Sequence, residues 1–447
     1  MRPPLDRRAL VEDFNAGFRP RPERLVGLEY ELLGVDRATG GAVSYQGHAS
    51  SRSSSVLAVL EGLRDRFGWR GVLDDPLLEL ERDGDRITLE PGAQLELSAR
   101  PYASLAEVRD ELGRFLRELI EVSRPLGIAW LPLGMQPLTR PEDIPLIPKQ
   151  RYRIMNGYLP TRGRGAIWMM RSTAGMQINV DVFDAQEAIH SLRLALMISS
   201  PLMALFSNSP FSAGRINGWR SRRSAYWLDV DPDRCGIPES LLAPDAATAD
   251  YVDWALAAGM FFIERDGRLI DMTGISFGQF LQHGAHDQQA TLDDWVLHLT
   301  TLFPEARLKT YLELRCPDSN PPELALAYAA LARGLFSSGP ERIEQAIALL
   351  DGWTYAERLE FHLACARHGL TAQAPDGRSA AEIVLALIGI AAESLERHYP
   401  DETDLLRPAE ALARSGRSSA DRLLERWQSD WHGSLAAMAD SLGALTL

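Results

Sequence analysis

The sequence predicts an α+β fold, with a curved antiparallel sheet flanked by helices and a helical C-terminal part. Three observations carry this. Alternating runs recur through the first three quarters of the chain, and two pairs of them meet at Asp-Gly, in "LLELERDGDRITLE" and "GMFFIERDGRLIDM", a hairpin signature. Helical segments lie between and after these runs, which suits an antiparallel α+β body. From about residue 322 nearly everything reads as helix, as in "PPELALAYAALARGLF" and "SADRLLERWQSDW". We divide the chain into a main α+β body over 1–335 and a helical segment over 336–447 packed on the same domain.

The elements follow in order. "GLEYELLGV", residues 27 to 35, alternates as a strand, with Glu29 and Glu31 on one face and Leu28, Tyr30 and Leu32 on the other. A loop, a helix and the Asp83-Gly84-Asp85 hairpin come next. "SLAEVRDELGRFLRELIEVSR" places Leu105, Val108, Leu112, Phe115, Leu116 and Leu119 at helical spacing behind a Ser104/Glu107 capping box. After the apolar run "GIAWLPLGM", residues 137 to 172 read as a proline-broken basic loop, and "STAGMQINVDVF" alternates again. A helix, "AQEAIHSLRLALMISSPLMALFS", ends at "NSP". Residues 209 to 250 read as long loops, the kind that usually carry function, and "RLKTYLELRC" reads as a final strand.

Composition narrows the class. The chain has 447 residues, 45% of them apolar, a net charge of −14 and a pI near 5.2. That balance argues against a basic footprint for nucleic acid or anionic membrane. No segment has the form of a signal peptide or the length to span a bilayer, so the cytoplasm is the expected address. Cys235, Cys316 and Cys365 are odd in number and far apart, which excludes a disulfide framework and any CxxC motif. Reduced thiols are expected.

In four strands the alternation leaves one face rich in functional side chains. Glu29 and Glu31 share a face in the first. Gln94 and Glu96 do so in "GAQLELS", Gln177, Asn179 and Asp181 in "GMQINVD", and Tyr311, Glu313 and Arg315 in "TYLELRC". Glu90 lies just upstream of Pro91-Gly92. A merely solvated face would mix in lysine and threonine; these positions hold mostly carboxylates and amides. Clustered carboxylates repel one another and need a cation among them, and hard oxygen ligands point to Mg²⁺ or Mn²⁺. Mg²⁺ bound in this way usually also holds phosphate oxygens, which points towards ATP. No GxxxxGK[ST] loop occurs, so ATP would be held through metals and arginines. Candidates are Arg151, Arg153, Arg162, Arg164, Arg171, Arg220, Arg222, Arg223 and Arg315. No GxSxG elbow or cysteine nucleophile context is present.

"GLEYE", "LEPGAQLELS", "RYRIM", "RSTAGMQINVD", "NSPFSAGRINGW", "SRRSAYWLDVDPDRCG", "HLTTLFPEARLKTYLELR", "DGWTYAER" and "SGRSSADRLLERW" resemble, in order and spacing, the plant-type glutamate-cysteine ligases. That family includes proteobacterial enzymes and the ligase of ergothioneine synthesis. The resemblance, over about 20 to 435, implies a glutamine synthetase-like funnel with metals on its floor, ATP on one side and amino acids on the other. It implies ATP-dependent phosphorylation of the side-chain carboxylate of L-glutamate and attack by the amine of L-cysteine, giving γ-glutamylcysteine. By the same resemblance Glu29, Glu31, Glu90, Glu96 and Glu313 are metal ligands, and Arg315 and Arg171 are catalytic. Gln94, Arg151, Gln177, Asn179, Arg223 and Trp227 bind substrate or ATP.

Two departures bear on this. The first motif commonly reads G-T-E-H-E, where Leu28 and Tyr30 stand here; both face away from the acids, so metal binding is expected to survive. After the last strand this chain has "RCPDSNPPE" in place of R-G-A-D-G-G, nearer the ergothioneine branch, as is "DRCG". Two further readings therefore stay open: the same activation of glutamate with another amine acceptor, and an inactive family member used as a binding subunit. Partners are small molecules only, and a monomer or a homodimer fits.

Overall fold

The computed structural model describes residues 5–47, 54–443 and 445; the loop expected after the first strand falls partly on 48–53, outside the described residues. The core of the fold is a nine-stranded sheet: β1 (Val26–Asp36), β2 (Arg70–Asp74), β3 (Leu77–Arg82), β4 (Asp85–Leu89), β5 (Leu95–Ser98), β6 (Ile128–Leu131), β7 (Met176–Asp181), β8 (Ala306–Leu308) and β9 (Tyr311–Leu314). The order is β8-β9-β7-β1-β5-β4-β3-β2, with β6 paired to the C-terminal half of β1. Every ladder in it is antiparallel, as expected. β1 is central, so strands from distant parts of the sequence flank its two acids.

Local chemistry sets the turns. Asp83 and Gly84 have φ of 54° and 93° between β3 and β4, the left-handed pair a two-residue hairpin needs. Asp266 and Gly267 do the same, at 49° and 72°, between Phe262–Arg265 and Arg268–Asp271.

Seven helices position the sheet and its loops: α1 (Leu105–Ser123), α2 (Gln150–Tyr158), α3 (Ala166–Ser172), α4 (Ala185–Leu205), α5 (Arg222–Trp227), α6 (Pro322–Phe336) and α7 (Ala380–His398). The Ser104/Glu107 capping box of α1 is formed, and its six apolar positions are buried. Of the described helices, α4 alone has the length and composition to cross a membrane, but it is almost wholly enclosed. With α6 it covers the apolar face of β1, β7, β8 and β9, where Leu28, Tyr30, Leu312 and Leu314 are buried. Tyr30 points away from the acids and donates its hydroxyl to the Asn320 carbonyl at 2.7 Å.

Two expectations change. The "loop" over 137 to 172 contains α2 and α3. Neither has a side-chain N-cap, so the usual start signal is missing; burial of Tyr152, Met155, Met169 and Met170 against the body sustains them instead. "RLKTYLELRC" is two strands, β8 and β9, folded back at Lys309-Thr310. That turn has no Gly, Asn or Asp to announce it.

Candidate active site

Residues directly opposed in an antiparallel ladder point to the same face. Thr88 opposes Glu96, Glu96 opposes Glu31, Glu29 opposes Gln177, Asn179 opposes Glu313, and Glu313 opposes Arg307. The four polar faces read from the sequence are therefore one continuous surface across β4, β5, β1, β7, β9 and β8. It is not solvated. Glu31 is 8% exposed, Glu96 7% and Glu313 0%.

Each acid has neutral donors beside it. Glu31 accepts from the Gly175 amide at 2.7 Å and Gln177 Nε2 at 3.0 Å; Glu29 accepts from Asn179 Nδ2 at 2.9 Å; Glu96 accepts from Ser98 Oγ at 2.7 Å and Thr88 Oγ1 at 3.1 Å. These bonds do not offset the environment. Burial, then the charges of Glu90 and Glu96, push the Glu31 carboxyl up to about 8. Burial also leads for Glu29, followed by Glu313 and Glu96, and for Glu96, followed by Glu90; both rise to about 7. A cation among these carboxylates would favour their charged forms. Among the described residues no set of three or more His, Cys, Asp or Glu is gathered closely enough to hold a metal ion. The donor chemistry nonetheless fits a hard divalent cation, all oxygen with no imidazole or thiolate.

Glu313 differs. It accepts from Arg307 Nε at 2.5 Å and Nη2 at 3.0 Å and from Lys309 Nζ at 3.2 Å, and Arg315 Nη1 lies 3.1 Å away. These cations hold its carboxyl far below the usual carboxylate range despite burial. The floor thus has an acidic half on β5 and β1 and a cation-rich half on β8 and β9, joined by Gln177, which donates to Glu31 and accepts from Arg315.

A cavity of about 180 Å³ opens over this floor, lined by Glu29, Glu31, Glu90, Glu96, Gln177 and Arg315 below and by Arg151, Arg223, Trp227 and Phe303 above. A second, of about 330 Å³, adjoins it at Glu29 and carries Arg21, Arg100, Asn179 and Asp181. Of the nine arginines named from the sequence, Arg151, Arg223 and Arg315 reach the first cavity. Arg151 and Arg223 each keep a buried Nε without a partner, as does the Trp227 indole nitrogen. Such donors await an acceptor.

The profile of Glutamate-cysteine ligase family 2 (GCS2) matches residues 25–441. The chloroplastic glutamate-cysteine ligase of Arabidopsis thaliana is 34% identical over 445 residues, covering 98% of this chain and 83% of that one. The chain belongs to glutamate-cysteine ligase family 2. As a glutamate-cysteine ligase it is an ATP-dependent enzyme. Chloroplastic glutamate-cysteine ligase B of Oryza sativa subsp. japonica is 33% identical over 441 residues, covering 97% of this chain and 86% of its own. The Francisella tularensis glutamate-cysteine ligase, solved in complex with AMP, has the same fold, with a TM-score of 0.59, 13% identity and coverage of 95% and 89%.

This glutamate-cysteine ligase places some expected residues differently. Arg171 does not line the cavity. Its Nη1 donates to the carbonyls of Pro141 and Ile144 at 3.3 and 3.1 Å, and its Nη2 donates to Asn156 Oδ1 at 2.8 Å. It clamps the covering segment, and a catalytic contact would require breaking that clamp. Gln94 borders the cavity, but its amide is spent within the chain: Oε1 accepts from Gly92 at 2.8 Å and Nε2 donates to the Thr173 carbonyl at 2.9 Å. It shapes the turn that carries Glu90. Gly92 fits there because a Cβ would lie 2.4 Å from the Arg171 carbonyl oxygen. Glu313, expected as a fifth metal ligand, has both oxygens given to cations, which makes it the anchor of Arg307 and Arg315. Arg162 and Arg164 pair with Asp231, Asp233 and Asp229, Arg220 pairs with Asp421, and Arg222 lies over Tyr226.

The sequence reading missed Arg307. Its signal was present, since 307, 309, 311, 313 and 315 keep a period of two, but the unannounced turn hid the cross-strand pair. Tyr152, Met155 and Met169, which roof the cavity, were lost in the misread loop.

Proposed function

We propose that this chain phosphorylates the γ-carboxylate of L-glutamate with ATP and joins it to the amine of L-cysteine, giving γ-glutamylcysteine. The observation that carries this reading is the divided floor, buried carboxylates on β5 and β1 beside arginines on β8 and β9 under one cavity. Glu29, Glu31, Glu90 and Glu96 would hold Mg²⁺ or Mn²⁺, which when bound neutralises phosphate charge and relieves the repulsion among the acids. Arg315 sits at the boundary and meets the negative charge that develops on the transferring phosphoryl group. Arg151 and Arg223, with unpartnered donors, take the anionic groups of the amino acid. The adjoining cavity of about 330 Å³ suits the nucleotide, so that its phosphates reach the floor at Glu29. The amine then attacks the activated carbonyl carbon, the C–N bond forms, and phosphate leaves with the C–O electron pair. No protein nucleophile is needed; positioning and charge carry the reaction.

A second reading, another amine acceptor on the same activated glutamate, is favoured by "RCPDSNPPE" after β9. An inactive family member is disfavoured, because every carboxylate and Arg315 remain despite the cost of burying them. We further propose a cytoplasmic protein in which 336–447 packs on the catalytic body. The Arg333 to Glu402 ion pair at 3.0 Å, with Glu402 also accepting from the Leu105 amide at 2.8 Å, supports that arrangement. The test is ATP-dependent phosphate release with L-glutamate and Mg²⁺ across L-cysteine, L-2-aminobutyrate and simple amines, with products identified by mass spectrometry. A γ-glutamylcysteine product favoured over the others supports the reading. Turnover only with a different acceptor overturns it.

A further inference from the structure

Beyond Arg223, Trp227, Phe303 and Arg315 the cavity continues into a recess of about 10 Å³ that also carries Glu305 and Ser224. That volume holds one water-sized group. Among the described residues Glu305 is the only acid on its wall, and it is 8% exposed. Among the described residues its carboxylate accepts no hydrogen bond, and the nearest cationic candidate, His362 Nε2, is 3.8 Å away. His362 does not supply a charge. It is wholly buried between Ser200 Oγ at 3.1 Å and Ser224 Oγ at 2.9 Å, and burial lowers its proton affinity, so both ring nitrogens are occupied by hydroxyls. Nor do the arginines close on Glu305. Arg223 gives its Nη atoms to the carbonyls of Cys316 and Arg315 at 3.0 and 3.3 Å, and Arg315 turns to Glu313 and Gln177. A buried carboxylate without an ion-pair partner is costly unless a cation arrives.

We propose that this recess binds the α-ammonium group of the glutamate substrate on Glu305. The inference rests on the ligase reading above and adds how the enzyme recognises an α-amino acid rather than any dicarboxylate. The γ-carboxylate must reach the acidic floor, so the opposite end of the molecule lies toward the recess, beside Arg223. The acceptor amine is a poor occupant: it must attack uncharged at the floor, whereas Glu305 holds a protonated amine. Trp227 and Phe303, edge to face with ring centroids 5.8 Å apart, line the recess, and a charge-assisted bond there is stronger than a neutral one.

The experiment compares L-glutamate with glutarate, which lacks the α-amino group, by calorimetric binding to the full chain in the presence of Mg²⁺. The wild-type protein is expected to favour L-glutamate by at least about tenfold. Glu305→Gln is expected to weaken L-glutamate about 10- to 100-fold, the worth of a charged hydrogen bond, and to leave glutarate and the KM for cysteine unchanged. Equal losses for both dicarboxylates, or a loss on cysteine alone, overturn the proposal. If the variant does not fold, the wild-type ratio decides, and a ratio near one overturns it. Selective L-glutamate binding through Glu305 in a protein that forms no γ-glutamyl product would uphold the recess and overturn the ligase reading.

Discussion

Glu31 and Glu96 stand directly opposite each other across the β1–β5 ladder, both more than nine-tenths buried. Like charges in that position destabilise a sheet, and the donors around them are amides and hydroxyls. The fold therefore stores electrostatic tension at the place where we propose that a metal binds.

That tension has a sign. In Glu29, Glu31 and Glu96 the folded-state pKa, about 7, 8 and 7, lies above the unfolded value near 4.5. The folded state thus binds more protons than the unfolded one between these values, and stability falls as pH rises. The metal-free protein should melt at progressively lower temperature from about pH 5 to pH 8. Mg²⁺ should restore the loss at pH 8 and release protons on binding, as a paired calorimetric titration in two buffers of different ionisation enthalpy would detect. A melting temperature that rises with pH over this window would refute the assignment.

Glu31→Gln removes one of the opposed charges while keeping shape and the bond from Gly175. The variant should gain roughly 1 kcal/mol at pH 8 without metal and, with Mg²⁺ present, lose at least about 100-fold in kcat, because the proposed ligand set is broken. A variant that is both active and Mg²⁺-responsive would remove Glu31 from the metal site.

Arg315→Ala should lower kcat by about 10²- to 10³-fold, the usual cost of losing one preorganised charge partner, with a smaller effect on KM for ATP. Since Glu313 keeps Arg307 and Lys309, the fold should hold, which circular dichroism would check. Arg307→Met is the contrast. It strips the bidentate partner from a fully buried carboxylate and should cost about 3–5 kcal/mol of stability, visible as a drop in the denaturant midpoint.

For Arg171 the expectation is a loosened cover. Arg171→Ala should raise KM for L-glutamate several-fold and speed proteolysis within 141–156, with kcat changed by less than about tenfold. A loss of kcat as large as that of Arg315→Ala would return Arg171 to the chemistry.

The acids of this site were legible because period-two alternation needs only the chain itself: Glu29 and Glu31, Gln177 and Asn179, and Glu313 fall on the polar face of whichever sheet they join. The order of those strands was not legible from periodicity, since the β1–β7 and β1–β5 registers are set by packing between segments far apart in sequence. The splitting of Glu313 from the other acids was hidden for the same reason. Its character depends on Arg307, brought opposite by a turn with no turn residues. For Arg171 the sequence does not separate two roles, since an arginine in a basic loop looks alike whether its guanidinium meets a ligand or, as here, three groups of its own cover. Conversely, the two Asp-Gly hairpins and the capped helix after Ser104 matched, being governed by neighbours in sequence.

Gln177 touches Glu31 with its amide nitrogen and Arg315 with its amide oxygen. Turning the amide over would set oxygen against carboxylate and nitrogen against guanidinium, so both neighbours lock one orientation. The floor therefore has a compass. A molecule lying across it meets negative potential at one end and positive at the other, and the same molecule laid the other way meets each with the wrong sign. The two halves of that charge pattern are tied together by a side chain that carries no charge itself.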